Sequence, residues 1–78
     1  MPKLPRRSGK EVVKALERAG FEVFDQTGSH VYLHKWEKGS WSKRVTVPVH
    51  GKKILKLKTL RNIIKQAGLK VDELIDLL

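Results

Sequence analysis

Three histidines, no cysteine and eight scattered carboxylates are all that this chain offers for acid–base or metal chemistry. His30 and His34 stand four residues apart, a spacing that would put both on one face of a helix. Their segment, Ser29 to Trp36, alternates instead with the period of a strand, which sets the two Cα atoms about 13 Å apart, too far to share one ion. With only His50 left and no thiolate, no metal and no cofactor is expected. Ser29 and His30, as adjacent strand residues, point to opposite faces and make no nucleophile–base pair. What remains is proton transfer by a solvent-side imidazole, the side chain whose ordinary pKa lies near neutrality. Such a group in a cationic field suits RNA. A base that takes the ribose 2′-OH proton lets that oxygen attack the adjacent phosphate, while Lys or Arg offsets the growing charge. The same histidine is equally accounted for as part of the polar outer face of a half-buried sheet.

The surrounding residues predict the frame that holds His30. Ser8 and Glu11 form a capping box ahead of the apolar set Val12, Val13, Leu16 and Ala19, and Gly20 ends this first helix. Lys10, Lys14 and Arg18 fall on its outer side. Phe21 to Gln26 reads as a strand, Thr27-Gly28 as a two-residue turn, and Ser29 to Trp36 as a second strand. Alternation puts Val31 and Leu33 inward and His30, Tyr32, His34 and Trp36 outward. Glu37 to Ser42 reads as a turn, and Lys43 to Val49 as a third strand with Val45, Val47 and Val49 inward; Pro48 marks an edge or a strand end. Leu60, Ile63, Ile64 and Ala67 repeat at helical spacing, with Gly68 as the stop, Leu69 over the cap, and Lys58, Arg61 and Lys65 outside. Val71, Leu74, Ile75 and Leu78 give a short last helix whose Asp72 and Glu73 suit its positive end. The fold class is α+β, in the order α-β-β-β-α-α: a three-stranded antiparallel sheet with helices on one face. Residues 1–78 make a single domain, with residues 1–7 a flexible N-terminal segment.

Charge narrows the partners. The chain has 17 Lys+Arg against 8 Asp+Glu, a formal charge of +9. Because Asp72, Glu73 and Asp76 crowd the end, residues up to 71 carry 17 bases against 5 acids, or +12. Such a field favours a polyanion, with nucleic acid ahead of a membrane, since the apolar stripes are used by the core; an acidic protein would exploit the same surface. A chain of 78 residues buries only ~60–65% of its unfolded surface, which leaves little room for a deep pocket or an enclosed dinucleotide site. Arg6-Arg7 has no apolar run behind it, so no export signal or membrane span is expected, and the location expected is cytoplasmic. Trp36 and Trp41 flank the second turn, where they suit stacking on bases, closure of the core, or contact with a partner chain.

Three segments together carry a family resemblance. They are Gly28-Ser29-His30 after a short strand; Val45-Thr46-Val47-Pro48-Val49-His50-Gly51 on the third strand; and Thr59-Leu60-Arg61 leading to Lys65-Gln66-Ala67-Gly68-Leu69. In this order and separation they resemble a HicA-type toxin, over about Ser8 to Leu77. The resemblance implies a fold similar to the double-stranded-RNA-binding domain, messenger-RNA endonuclease activity, and neutralisation by a cognate HicB-type antitoxin. The family's catalytic histidine lies in its Gly-Ser-His segment and matches His30. Two departures are visible: a turn from Trp36 to Ser42 longer than the family's short one, and Leu57-Lys58 where a Pro-Gly pair often opens the second helix.

The reading that follows is a metal-independent endoribonuclease with His30 as general acid/base. Lys14, Arg18, Arg61 and Lys65 of the helices, with Lys35 and Arg44 of the second hairpin, hold RNA phosphates. His34 and His50 stand behind His30 for the opposite proton transfer. The rival is a non-catalytic nucleic-acid-binding module, either of the same fold or a helix-turn-helix formed by Leu60 to Leu78. Against the latter, Val71 to Leu78 carries three acids and no base, which DNA phosphates would repel.

Overall fold

A computed structural model describes residues 3–78, and Met1 and Pro2 of the predicted N-terminal segment lie outside the described residues. The elements are α1 (Gly9–Arg18), β1 (Phe21–Thr27), β2 (His30–Glu37), β3 (Ser40–Pro48), α2 (Leu57–Ala67) and α3 (Val71–Leu77), the order expected from the sequence. The sheet is antiparallel throughout, with β2 between β1 and β3.

The predicted capping box is present. Ser8 Oγ accepts from the Glu11 N–H at 3.3 Å, and the Glu11 carboxylate accepts from the Ser8 N–H at 3.2 Å. Two of the helix's orphan donors are thereby satisfied at a buried end, where Ser8 is the one buried polar residue described. The Ser8 N–H and the Arg7 guanidinium 3.0 Å away hold the Glu11 carboxyl below its ordinary value. Gly68, at φ 69, closes α2 in the left-handed conformation, and the Leu69 N–H returns to the Ile64 carbonyl at 3.1 Å. Glu73 accepts from the Lys70 N–H at 2.9 Å at the start of α3. Before α1, Leu4 packs on the core and the Arg7 carbonyl accepts from the Leu55 N–H at 2.9 Å.

One core forms under one face of the sheet. Val31, Leu33, Val45 and Val47 meet Val12 and Leu16 of α1, Leu60 and Ile63 of α2, and Leu74 of α3, all buried. Val49, placed inward by the sequence, is partly buried against the same cluster.

Two turns differ from their predicted places. The first hairpin turns at Gly28-Ser29, because Thr27 stays in β1 opposite His30 and Gly28 takes the positive φ of 52°. The second is not the long turn read from Glu37 to Ser42. β2 runs on to Glu37, β3 starts at Ser40, and only Lys38 (φ 50) and Gly39 (φ 81) lie between, both left-handed as in a type I′ turn. The apparent departure from the family's short turn therefore disappears. Lysine concealed it, since Asn or Asp is the residue expected before Gly there. α2 also begins three residues before Leu60.

Candidate active site

His30 opens β2 directly after the first turn, exposed and on the face away from the helices. Its partners across the sheet are Thr27 on β1 and Pro48 on β3. The site is rigidly framed: the Ser29 carbonyl accepts from the Val49 N–H at 2.6 Å, tying the turn to the end of β3. Further along the same face the Thr27 hydroxyl donates to the Tyr32 oxygen at 3.1 Å. Pro48 ends an edge strand, as its missing N–H requires.

His34 and His50 have different surroundings. His34 is clamped between rings of both neighbouring strands, with the Phe24 centroid at 4.3 Å and the Trp41 centroid at 3.5 Å, nearly parallel to it. Trp36 meets Trp41 edge-on at 4.9 Å. His50 is exposed just beyond Pro48 and lines a 270 Å³ cavity with Lys53, Lys56 and Thr59. Among the described residues no group of three or more His, Asp or Glu side chains converges.

The six basic candidates do not form one cluster. Arg44 alone shares the outer face with His30: it pairs with His34, and its guanidinium carbon stands 5.0 Å from the Phe24 ring centre. Lys35 points to the helix side, 5.7 Å from the Phe21 ring centre and 3.5 Å from Glu37. Lys14 and Arg18 flank a shallow hollow with Glu11 and Leu78, and Arg18 donates to the Leu77 carbonyl at 2.6 Å. Arg61 and Lys65 edge a 760 Å³ groove floored by Leu4, Leu57, Ile64 and Leu69.

Sequence reasoning placed Tyr32, His34 and Trp36 on the face of His30 but missed the ring stack around His34. Two irregularities bring it about. A bulge between Val23 and Asp25 leaves Phe24 beside His34, and a second shift after Lys35 sets Trp41 opposite Trp36. At that hairpin tip Glu37 accepts from the Ser42 hydroxyl at 2.8 Å and lies 3.5 Å from both Lys43 and Lys35. Its carboxyl is lowered by the Ser42 hydrogen bond foremost and by the two ammonium groups after it.

Comparison with the curated proteins gave no match. The family described as HicA toxin of bacterial toxin-antitoxin does match, over residues 9–69, from the first residue of α1 to the residue after the α2 stop. That span takes in the Gly28-Ser29-His30 turn, the end of β3 and all of α2, so the chain belongs to the HicA toxins, the toxin half of a pair whose other half is a cognate antitoxin.

Proposed function

We propose that this toxin is a metal-independent endoribonuclease acting on messenger RNA in the cytoplasm, with His30 as its general acid/base. The observation that carries the reading is an exposed imidazole on a hydrogen-bonded strand end, within the residues 9–69 that match the family and in a Gly-Ser-His segment that resembles the family's own, in a chain of net charge +9. In the reaction His30 accepts the proton of a ribose 2′-OH. The freed oxygen attacks the adjacent phosphorus, the bond to the 5′-oxygen breaks, and a 2′,3′-cyclic phosphate remains. His50, exposed two residues beyond the partner of His30, is the candidate donor of the proton that the 5′-oxygen needs. Arg44 on the same face offsets phosphate charge, and Lys14, Arg18, Lys35, Arg61 and Lys65 add to the field that draws RNA in.

The test uses one RNA strand with and without a single 2′-deoxy sugar at the scissile position, in the presence of EDTA. The expected result is cleavage of the all-ribose strand to a cyclic phosphate and none of the substituted one. Dependence on a divalent ion, or cutting of the deoxy-substituted strand, overturns the mechanism. Tight binding with no cleavage supports the non-catalytic module instead.

A further inference from the structure

The ring stack on the outer face has no part in the proton transfers just described. Phe24, Trp36 and Trp41 are 39%, 55% and 46% exposed, and Trp36 is the most exposed large apolar residue described. Aromatic rings left this open on a small domain are an unusual expense unless something covers them.

We infer that the solvent face of the sheet, from His30 to the β2–β3 turn, is a stacking surface for unpaired bases of a single RNA strand, an inference that rests on the nuclease reading. Four features of that face select this ligand. First, Phe24, His34 and Trp41 stack at 4.3 and 3.5 Å across three strands, and Trp36 stands edge-on to Trp41 at 4.9 Å, so a base laid on the open Trp36 ring joins an aromatic cluster already formed. Second, apart from Pro48 opposite His30, the outward positions of β2 and β3 hold aromatic and polar residues, whereas Val31, Leu33, Val45 and Val47 all point inward. A face of rings and polar groups, with no Val, Leu or Ile on β2 or β3, suits bases, each of which presents a π face, better than the mixed apolar core of a protein interface.

Third, charge directs the path. Glu22 and Asp25 lie on the outward side of β1, opposite His34 and Tyr32, and repel phosphates there. Arg44 on β3 and Lys38 at the tip leave the β2–β3 half of the face as the cationic track. Fourth, the surface is continuous with His30. Trp36 is six strand residues from it, about 20 Å, so bases held at the tip hold the strand several nucleotides from the bond to be cut. The inference also explains why a double helix would be a poor substrate: its bases are already stacked on one another and cannot reach the rings.

Both tryptophans of the chain belong to this stack, so its tryptophan fluorescence reports on this face alone. The experiment titrates the full-length protein with 2′-O-methyl oligouridine of about ten nucleotides, which has no 2′-OH to be attacked. Its comparison ligands are an abasic strand of equal length and charge and a duplex of the same length. The expected result is quenching by the oligouridine and an affinity at least about tenfold above that of the abasic strand and the duplex. Trp36→Ala should remove most of that advantage while leaving the salt slope unchanged, because stacking releases no counterions. Trp36→Phe, which keeps a ring, should restore it and so separates stacking from a damaged hairpin. Equal affinity for the abasic strand, or no quenching, overturns the inference. So does quenching by the purified cognate antitoxin when no RNA quenches, which would make the rings an anchor for the antitoxin. Ordinary RNA cleavage alongside any of these failures leaves the nuclease reading standing, whereas base-dependent quenching without cleavage removes that reading and keeps the stacking surface.

Discussion

Gly9, the first residue of α1, packs directly on the backbone of Pro48, the strand partner of His30. A Cβ on Gly9 would overlap the Pro48 carbonyl oxygen and stand 3.1 Å from its carbon and 3.2 Å from the Val49 Cα. Backbone cannot swing aside as a side chain can. Gly9→Ala is therefore expected to lose about 1–3 kcal/mol, the usual range for overpacking, although alanine is the better helix former. Chemical denaturation measures the loss, and Lys10→Ala, exposed on the next position, serves as the near-neutral control. The displaced strand end should also lower RNA cleavage at temperatures where the variant is still folded.

His30→Ala should abolish RNA cleavage and growth inhibition while stability stays within about 0.5 kcal/mol, since the imidazole is exposed on the face away from the helices. Cleavage assays and thermal melts on the same preparation check both halves. Undiminished cleavage would refute the role of His30, and a large drop in melting temperature would mark it as structural.

Lys38 holds a left-handed φ of 50° at the first position of a type I′ turn, where a residue with a Cβ is disfavoured. Lys38→Asn is expected to raise stability by roughly 0.5–1 kcal/mol, because asparagine tolerates that conformation. Gly39→Ala, at φ 81, should lower it by a similar amount or more. Melting temperatures of the pair give opposite signs if the turn is as described.

The Glu11 carboxyl is lowered in the folded protein by the Ser8 N–H and by Arg7. A carboxylate lowered on folding contributes stability that is complete above its unfolded value and is lost as pH falls through the folded one. The advantage of the native chain over Glu11→Gln should therefore be constant near neutrality and shrink in the acid range below the ordinary pKa of 4.5. Glutamine still accepts the Ser8 N–H, so the helix should persist in the variant. Denaturation at several pH values, native against Glu11→Gln, tests the sign.

Local patterns were legible where one short signal decides the outcome. The Ser8–Glu11 box, the Gly68 stop and the alternation of Val31 and Leu33 with His30 and Tyr32 each translate directly into structure. The positions of both turns were less legible. Thr27-Gly28 and Gly28-Ser29 are equally good turn pairs until β1 and β2 fix their register, and Lys38 carries no turn preference at all. The surroundings of His34 were hidden for a related reason, since two bulges decide which rings meet it and bulges leave no periodic trace. Nor does helical spacing alone show that Lys14 with Arg18 and Arg61 with Lys65 border separate hollows.

Strands in sequence order, joined by two-residue turns, have a consequence in time. Each strand pairs with its neighbour in sequence while α1 also meets α3 and β3 across longer loops, and mixed α/β domains of this kind fold in less than about a second. Synthesis of 78 residues takes about 4–16 s at ordinary ribosomal rates. The toxin is thus folded almost as soon as its last residue is free, and no slow maturation separates translation from harm. A cell that makes it safely must already hold the antitoxin when the ribosome finishes.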